Sequence, residues 1–451
     1  MANITLRQAA QWCGGFVEDK YADVTFLGAN NDSRKLQPGQ LFLALQGERD
    51  GHDFIPMAME KGAAAVLCSR NCGDYPAIIV DDPRRALGDI ARQERRRIGM
   101  KVVGVTGSVG KSTTKEMIAA VLGSTYRVEK TPVNQNNDIG MPMAILAMPD
   151  DTEVAVLEMG MNHFREIAYL SSIAQPNIGV IINVGTMHIE HLGSREGILR
   201  AKMEILEGME ADGKLFLNGD NDLLWGQRTN AAANAVYFGE TNAQCDVFAD
   251  NVTEGDGVTR FLVTADDQKL SVELALEGRH YVSDALAAVS VGLHMGVTPE
   301  KIANSLLAFQ NMSGRQEIFE TKGYTIIKDC YNAGPESMVA ALNVLKKKTG
   351  RRIAVLGDML ELGVRSQAEH YRIGRFAAEA ADLVLAYGPN GIRVISGALT
   401  GGMSDTRALA FEEADQVVAA LKRLAKPGDV LLFKGSRGMR MELISEQFIA
   451  E

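Results

Sequence analysis

Between Val102 and Leu122 the chain passes from one apolar rhythm to another. Val102, Val103 and Val105 form the β-branched run of a buried strand. Beyond the turn Gly107-Ser108-Val109-Gly110, apolar Met117, Ile118, Val121 and Leu122 recur at three and four residues, the spacing of a helix face. The order is strand, glycine turn, helix. Farther along, residues 154–157 and 177–184 read as buried strands and 196–209 as a helix. Between 246 and 276 the period falls towards two. The runs 259–265 and 269–276, joined by Asp266-Asp267-Gln268, predict an antiparallel hairpin, which we read as a β insertion.

On either side of this stretch the pattern changes. Residues 41–45, 64–68 and 77–80 predict short strands around a helix at 54–61 closed by Gly62, and Asp81-Asp82-Pro83 breaks the chain before a helix over 84–97. After Met312-Ser313-Gly314 the alternation is cleaner: strands at 324–328, 353–356, 383–386 and 430–433, with helices from Pro335, over 367–380 and over 412–424. The last helix is expected to carry Glu412 and Glu413 in its first turn, Lys422 and Arg423 in its last, and Pro427-Gly428 as its stop. Such alternation implies parallel sheets covered by helices. The expectation is therefore an α/β protein of three domains. A small mixed α/β N-terminal domain spans 1–83, a P-loop ATPase-type central domain with a parallel sheet and the β insertion spans 84–312, and a Rossmann-like C-terminal domain spans 313–451.

Composition narrows the class. The 451 residues are 46% hydrophobic and 23% charged, the balance of an ordinary globular protein. A formal net charge of −10 argues against general nucleic-acid affinity, and the run from Arg92 to Arg97 reads as the solvated face of a helix. No stretch approaches the ~18 apolar residues of a membrane span, and Met1 to Gly15 lacks the character of a signal peptide. The five cysteines are scattered and form no CxxC pair; they read as reduced thiols rather than as a metal site on Cys68 and Cys72. These points predict a cytoplasmic monomer with no nucleic-acid or membrane partner.

The glycine turn sits in the context a phosphate-binding loop requires. Gly107 and Gly110 let backbone N–H groups turn around an anion, Lys111 supplies a positive charge, and Ser112 offers a hydroxyl for Mg²⁺. The loop is a variant, with Val105 where the general pattern has glycine. Thr106, Gly107, Ser108, Val109, Gly110, Lys111, Ser112 and Thr113 make up the candidate nucleotide-binding run. The strand at 154–157 ends in Glu158, placed to hold the Mg²⁺ that bridges nucleotide phosphates. In Ile181-Ile182-Asn183-Val184-Gly185-Thr186-Met187-His188 the histidine lies just past a strand end, where sites sit in doubly wound sheets.

Taken in order, Thr106-Gly107-Ser108-x-Gly110-Lys111-Ser112, Asn136-Asn137-Asp138-Ile139-Gly140-x-Pro142, Glu158-Met159-Gly160, Asn183-x-Gly185-x-x-His188-Ile189-Glu190 and Ala201-Lys202-x-Glu204-Ile205 resemble the motifs of the Mur ligases. That family adds amino acids to the cell-wall precursor peptide at the expense of ATP. Asp32-Ser33-Arg34, Gly39, Leu41-Phe42-x-Ala44-Leu45-x-Gly47 and Gly51-His52-Asp53-Phe54 look like its UDP-sugar-binding domain. Asp329-x-Tyr331-Asn332-Ala333, Gly357-Asp358-Met359-x-Glu361-Leu362-Gly363 and Lys434-Gly435-Ser436-Arg437 look most like the branch that joins D-alanyl-D-alanine to UDP-N-acetylmuramoyl-tripeptide. The Asp-Asn-Pro-Arg motif of the branch adding the third residue is not found.

The resemblance implies roles. Lys111 and the loop amides would hold the ATP phosphates. Two Mg²⁺ are implied, one on Ser112 and Glu158 and a second on His188 with Glu158. Lys202 matches a lysine that is carbamylated in much of the family. The implied catalytic set is thus Lys111, Glu158, His188 and Lys202, and the implied metal set Ser112, Glu158, His188 and Lys202. Asn218 and His280 look like adenine-side contacts, completed across a cleft by Arg315 and Asp329. Ser33, Arg34, Asn137, Tyr331, Asn332, Lys434, Ser436 and Arg437 are the implied substrate contacts. The chain departs from the family at Tyr281, Asp284 and Gly334, where asparagine is usual. The alternatives are another Mur-type ligase, a ligase like folylpolyglutamate synthase, or a P-loop nucleotide switch. Against the switch, no Asn-Lys-x-Asp guanine motif appears, and a dinucleotide oxidoreductase would need a GxGxxG pattern after Gly357.

Overall fold

The run Val102–Val105 is buried on both faces, as an inner parallel strand must be. Val102 joins one apolar cluster, and Val103 and Val105 join the one on the opposite face. In the computed structural model, which describes residues 4–229, 234–255, 257–266 and 268–450, this run forms the strand Lys101–Thr106 of a nine-stranded sheet. Its parallel neighbours are Ile178–Ile181 and Val154–Glu158. Beyond Ile178–Ile181 come Lys214–Asn218 and Val236–Gly239, also parallel. The strand Val247–Gly255 continues the sheet, and Val258–Ala265 and Gln268–Leu274 extend it as an antiparallel ribbon. The expected β insertion is therefore an edge of the central sheet itself. Of its predicted turn, Asp267 lies outside the described residues.

A second sheet of six strands runs in the order Glu317–Thr321, Tyr324–Asp329, Val430–Lys434, Arg352–Gly357, Leu383–Tyr387, Ala408–Phe411. All its pairs are parallel except the first. Helices cover both faces: Pro335–Lys347, Ser366–Ala380 and Gly391–Thr400 contribute to one core, and Ala414–Leu424 and Met441–Ala450 to the other. This is the Rossmann-like arrangement expected of a βαβ alternation. A four-stranded parallel sheet, Ala29–Asn30, Leu41–Leu43, Ala65–Cys68 and Ala77–Ile79, lies at the N-terminal end. Helix Pro83–Ile98 joins it to the central core, since Leu87 and Ile90 share one apolar cluster with Leu41, Leu67 and Ile173. Among the described residues no helix is long and apolar enough to cross a membrane.

Several elements differ from the sequence reading, among them these, each for a local reason. The strand expected at 177–184 stops at Ile181, because Asn183 turns its amide to the phosphate loop. The helix expected at 196–209 is α-helical over Arg195–Met203 and then tightens to a 3₁₀ turn, Glu204–Glu207. There the Glu204 carboxylate accepts the N–H groups of Arg165 and Ala168. Glu413 caps helix Ala414–Leu424 and Glu412 precedes it, so neither lies in the first turn, whose acid is Asp415. The arginine run is not wholly solvated: Arg95 is buried and donates to the carbonyls of Ala174 and Gln175 at the C-terminal end of helix Glu166–Ala174.

Candidate active site

The C-terminal ends of strands Lys101–Thr106, Val154–Glu158, Ile178–Ile181 and Tyr324–Asp329 open onto one cavity of about 550 Å³ between the two large sheets. Its wall combines the phosphate loop and Glu158 with residues from the other sheet: Arg315, Asp329, Tyr331, Asn332, Glu336 and Lys434. Asn137, His188, Asn218 and His280 line it too.

Gly110, at φ +84°, caps helix Lys111–Gly123, whose first N–H groups have no intrahelical partners and border the cavity. The amides of Ser108 and Val109 are already engaged, because Asn183 Oδ1 accepts both at 2.9 and 3.0 Å. The loop is thus preformed, and the amides left free to face an anion are those of the helix start. Thr106 is buried beneath the loop with its hydroxyl unpartnered. Lys111 Nζ donates to the carbonyl of Gly107 at 2.9 Å. Burial lowers its pKa, and nearby Arg315 adds to that while Glu158 opposes it.

Ser112 is the centre of the polar network. Its Oγ donates to Glu158 Oε2 at 2.8 Å and accepts from Arg315 Nη2 at 2.9 Å. Asn136 holds the other carboxylate oxygen, Oε1, at 2.8 Å. Asn137, by contrast, accepts the N–H groups of Ile139 and Gly140 through its Oδ1, just before helix Gly140–Leu146. The Arg315 guanidinium lies 3.9 Å above the ring of Tyr331, and the Tyr331 hydroxyl donates to Asn134. Lys434 is buried and donates to Asp329 Oδ2 at 2.6 Å and to the Asn332 carbonyl at 3.1 Å.

His188 has φ +62° at the start of the short helix Ile189–Leu192. Its Nδ1 lies 2.6 Å from Glu361 Oε2 without the alignment of a hydrogen bond. His188 also borders an adjoining cavity of about 130 Å³ with Asn332, Ser436 and Arg437. Ser436 is buried and braces the carbonyl of Ala333, while Arg437 is exposed and pairs with Glu442. Lys202 is 2% exposed and does not line this cavity. Among the described residues nothing pairs with its ammonium, and burial, with nearby Lys111, lowers its pKa well below the usual lysine range.

On the opposite wall, Asn218 Nδ2 donates to Ser283 Oγ at 2.9 Å, and His280 stands with its ring open to the cleft at the start of helix His280–His294. Tyr281 is buried in the core, its hydroxyl accepting from Asn311. Asp284 is buried too; it accepts from Thr114 Oγ1 at 2.7 Å, and burial pushes its pKa up to about 7. Ser33 and Arg34 do not reach this cavity: Ser33 is buried against Met57, and Arg34 pairs with Asp32.

Four participants were not among the predicted site residues. Asn136 holds the Glu158 carboxylate. Asn183 organises the loop, Glu361 faces His188, and Glu336 accepts from Thr186 across the cleft. Asn136, Asn183 and Glu361 stood inside quoted motifs. Glu336 carried only the signal of an acid in a first helical turn.

Three family models match the chain: the Mur ligase family catalytic domain over residues 23–95, the Mur ligase middle domain over 105–292, and the Mur ligase glutamate ligase domain over 314–437. Among curated relatives, the UDP-N-acetylmuramoyl-tripeptide–D-alanyl-D-alanine ligase of Bacillus subtilis (strain 168) is 39% identical over 459 residues, covering 100% of this chain and 99% of its own. A crystal structure of MurF from Acinetobacter baumannii superposes with a TM-score of 0.92 at 32% identity, covering 100% of both chains. The MurF ligase of Thermotoga maritima in complex with ADP has a TM-score of 0.83 at 31% identity, covering 94% of this chain and 97% of its own.

Proposed function

The chain belongs to the Mur ligase family, and from that premise we propose that it uses ATP to join D-alanyl-D-alanine to UDP-N-acetylmuramoyl-tripeptide, releasing ADP and phosphate. A carboxylate is a poor electrophile. In this reading ATP phosphorylates the terminal carboxyl of the tripeptide, the amine of the dipeptide attacks the acyl phosphate, and phosphate leaves from a tetrahedral intermediate. The carrying observation is the convergence on Ser112 Oγ of Glu158 from the central sheet and Arg315 from the C-terminal domain.

The protein's own contribution is alignment and charge neutralisation. Lys111 and the first amides of helix Lys111–Gly123 bind the transferring phosphates. Arg315 adds positive charge from the far side of the cleft, and Asp329, held by Lys434, shapes the nucleotide wall with Asn218 and His280. Asn332, Tyr331, Ser436 and Arg437 border the space proposed for the dipeptide. Ser33 and Arg34 are proposed for the distant UDP end of the precursor, with Asn137 nearer the phosphates.

The donor set fits Mg²⁺. A hydroxyl and a carboxylate 2.8 Å apart are hard oxygen ligands, and Mg²⁺ commonly takes its remaining ligands from phosphate and water. Among the described residues no group of three or more His, Cys, Asp or Glu side chains is placed to hold a metal ion alone, which suits an ion carried in with the nucleotide. When bound, Mg²⁺ would neutralise charge developing on the phosphates, held by Ser112 and Glu158 and, at a second position, by His188 with Glu158.

Lys202 fits carbamylation. Only the neutral amine reacts with CO₂, and in water that form costs roughly 4 kcal/mol at pH 7.4. Burial lowers that cost, and conversion to an anion would give Lys111 a counter-charge. The domain bounds proposed are 1–83, 84–312 and 313–451, and the enzyme is proposed to act as a cytoplasmic monomer without nucleic-acid or membrane partners. Phosphate release measured with UDP-N-acetylmuramoyl-tripeptide tests the function. D-alanyl-D-alanine should support release and single amino acids should not; the reverse preference would move the chain to another branch.

A further inference from the structure

Glu336 lies in the first turn of helix Pro335–Lys347 in the C-terminal domain, yet its carboxylate bonds to the central domain. Oε1 accepts both the backbone N–H and the hydroxyl of Thr186, at 2.9 and 3.0 Å. Oε2 is buried without a partner. Gly185 makes room for the carboxylate, because a Cβ there would stand 2.8 Å from Glu336 Cδ. The same Gly185 donates its N–H to Ser108 Oγ at 3.0 Å, and Asn183, two residues earlier, holds the Ser108 and Val109 amides. Thus the short segment Asn183–Thr186 is fastened to the phosphate loop on one side and to the C-terminal domain on the other.

We propose that Glu336 is a positioning residue for the ligase reaction, a clasp through which docking of the C-terminal domain fixes the segment that shapes the phosphate loop. Removing the acceptor leaves both the part-buried Thr186 N–H and its hydroxyl without this partner. The proposal rests on the ligase reading for its kinetic consequence, while the clasp itself is a statement about domain docking.

The test compares Glu336→Ala, Glu336→Gln and Thr186→Val in the full chain, after thermal melting confirms that each folds. Steady-state rates and X-ray scattering with Mg²⁺ and a non-hydrolysable ATP analogue are both measured. Glu336→Ala should lower kcat about 10-fold or more and reduce the nucleotide-induced compaction. Glu336→Gln keeps an acceptor at Oε1 and should stay within a few-fold of the parent in both readouts. Thr186→Val should impair less than Glu336→Ala and add little to it in the double variant, since both remove one contact. Unchanged kcat and compaction in Glu336→Ala would overturn the clasp. So would a Gln variant as impaired as the Ala variant, which would assign the effect to the negative charge. Parent enzyme without ligase activity would refute the proposed function, and the scattering arm would still decide the clasp.

Discussion

Arg315 of the C-terminal domain donates to Ser112 Oγ of the phosphate loop at 2.9 Å, across a sequence separation of 203 residues. Its guanidinium lies over the ring of Tyr331. A planar fork stacked on a ring is not replaced by a flexible ammonium. Arg315→Ala should lower kcat/KM for ATP about 10-fold or more, and Arg315→Lys should recover little of it. Initial rates at varied ATP measure this, and a fully active Lys variant would show that charge alone suffices.

Lys111→Ala should lower turnover by at least ~10²-fold, the scale expected when a donor to developing charge is removed. Thermal stability should be little changed, because the Lys111 ammonium is bonded only within its own loop. Near-normal phosphate release in this variant would contradict the assignment of the loop.

Lys202 carries a buried amine with no counter-charge among the described residues. If a carbamate forms there, Lys202→Ala should be nearly inactive and partly rescued by short carboxylic acids. Carbon-13 NMR with labelled bicarbonate should show a carbamate in the parent and none in the variant. Full activity of Lys202→Ala without additive would eliminate the carbamate.

Asp284 gives a pH dependence with a definite sign. Burial raises its pKa to about 7, above the ~3.9 of an unfolded chain, so the folded state binds the proton more tightly. The stability this provides is complete below pH ~3.9 and is lost as pH rises towards 7. Asp284→Asn keeps an acceptor for Thr114 and removes the titration. Its stability advantage over the parent should grow from pH 5 to 7 and then level, reaching on the order of 4 kcal/mol at most. Denaturant melts at pH 5, 6, 7 and 8 check this, and a pH-independent difference would contradict it.

The central elements were legible because their signals are local. Val102–Val105 must be buried on both faces, and Met117, Ile118, Val121 and Leu122 must share a helix face, wherever the rest of the chain lies. The helix Gly391–Thr400 was not expected; Gly391, Gly397 and its β-branched residues give it low helix propensity. Strand Glu317–Thr321 was also missed, since its mostly exposed residues on a sheet edge carry little apolar alternation. In the candidate site, loop and strand-end residues could be read from motifs. The contacts that close it could not. Arg315 to Ser112, Glu336 to Thr186 and Glu361 to His188 each join two domains whose relative placement no spacing encodes. Asn183 could be recognised as a motif residue, but its hold on two loop amides emerges only when strands 101–106 and 178–181 pair.

The most direct measurement follows one oxygen atom. UDP-N-acetylmuramoyl-tripeptide labelled with ¹⁸O in its terminal carboxyl is incubated with enzyme, Mg²⁺, ATP and D-alanyl-D-alanine, and products are read by mass spectrometry. The expected products are a UDP-linked pentapeptide and inorganic phosphate carrying one ¹⁸O from the carboxyl. Pentapeptide formed with unlabelled phosphate would contradict activation through an acyl phosphate, and absence of pentapeptide would contradict the ligase assignment itself.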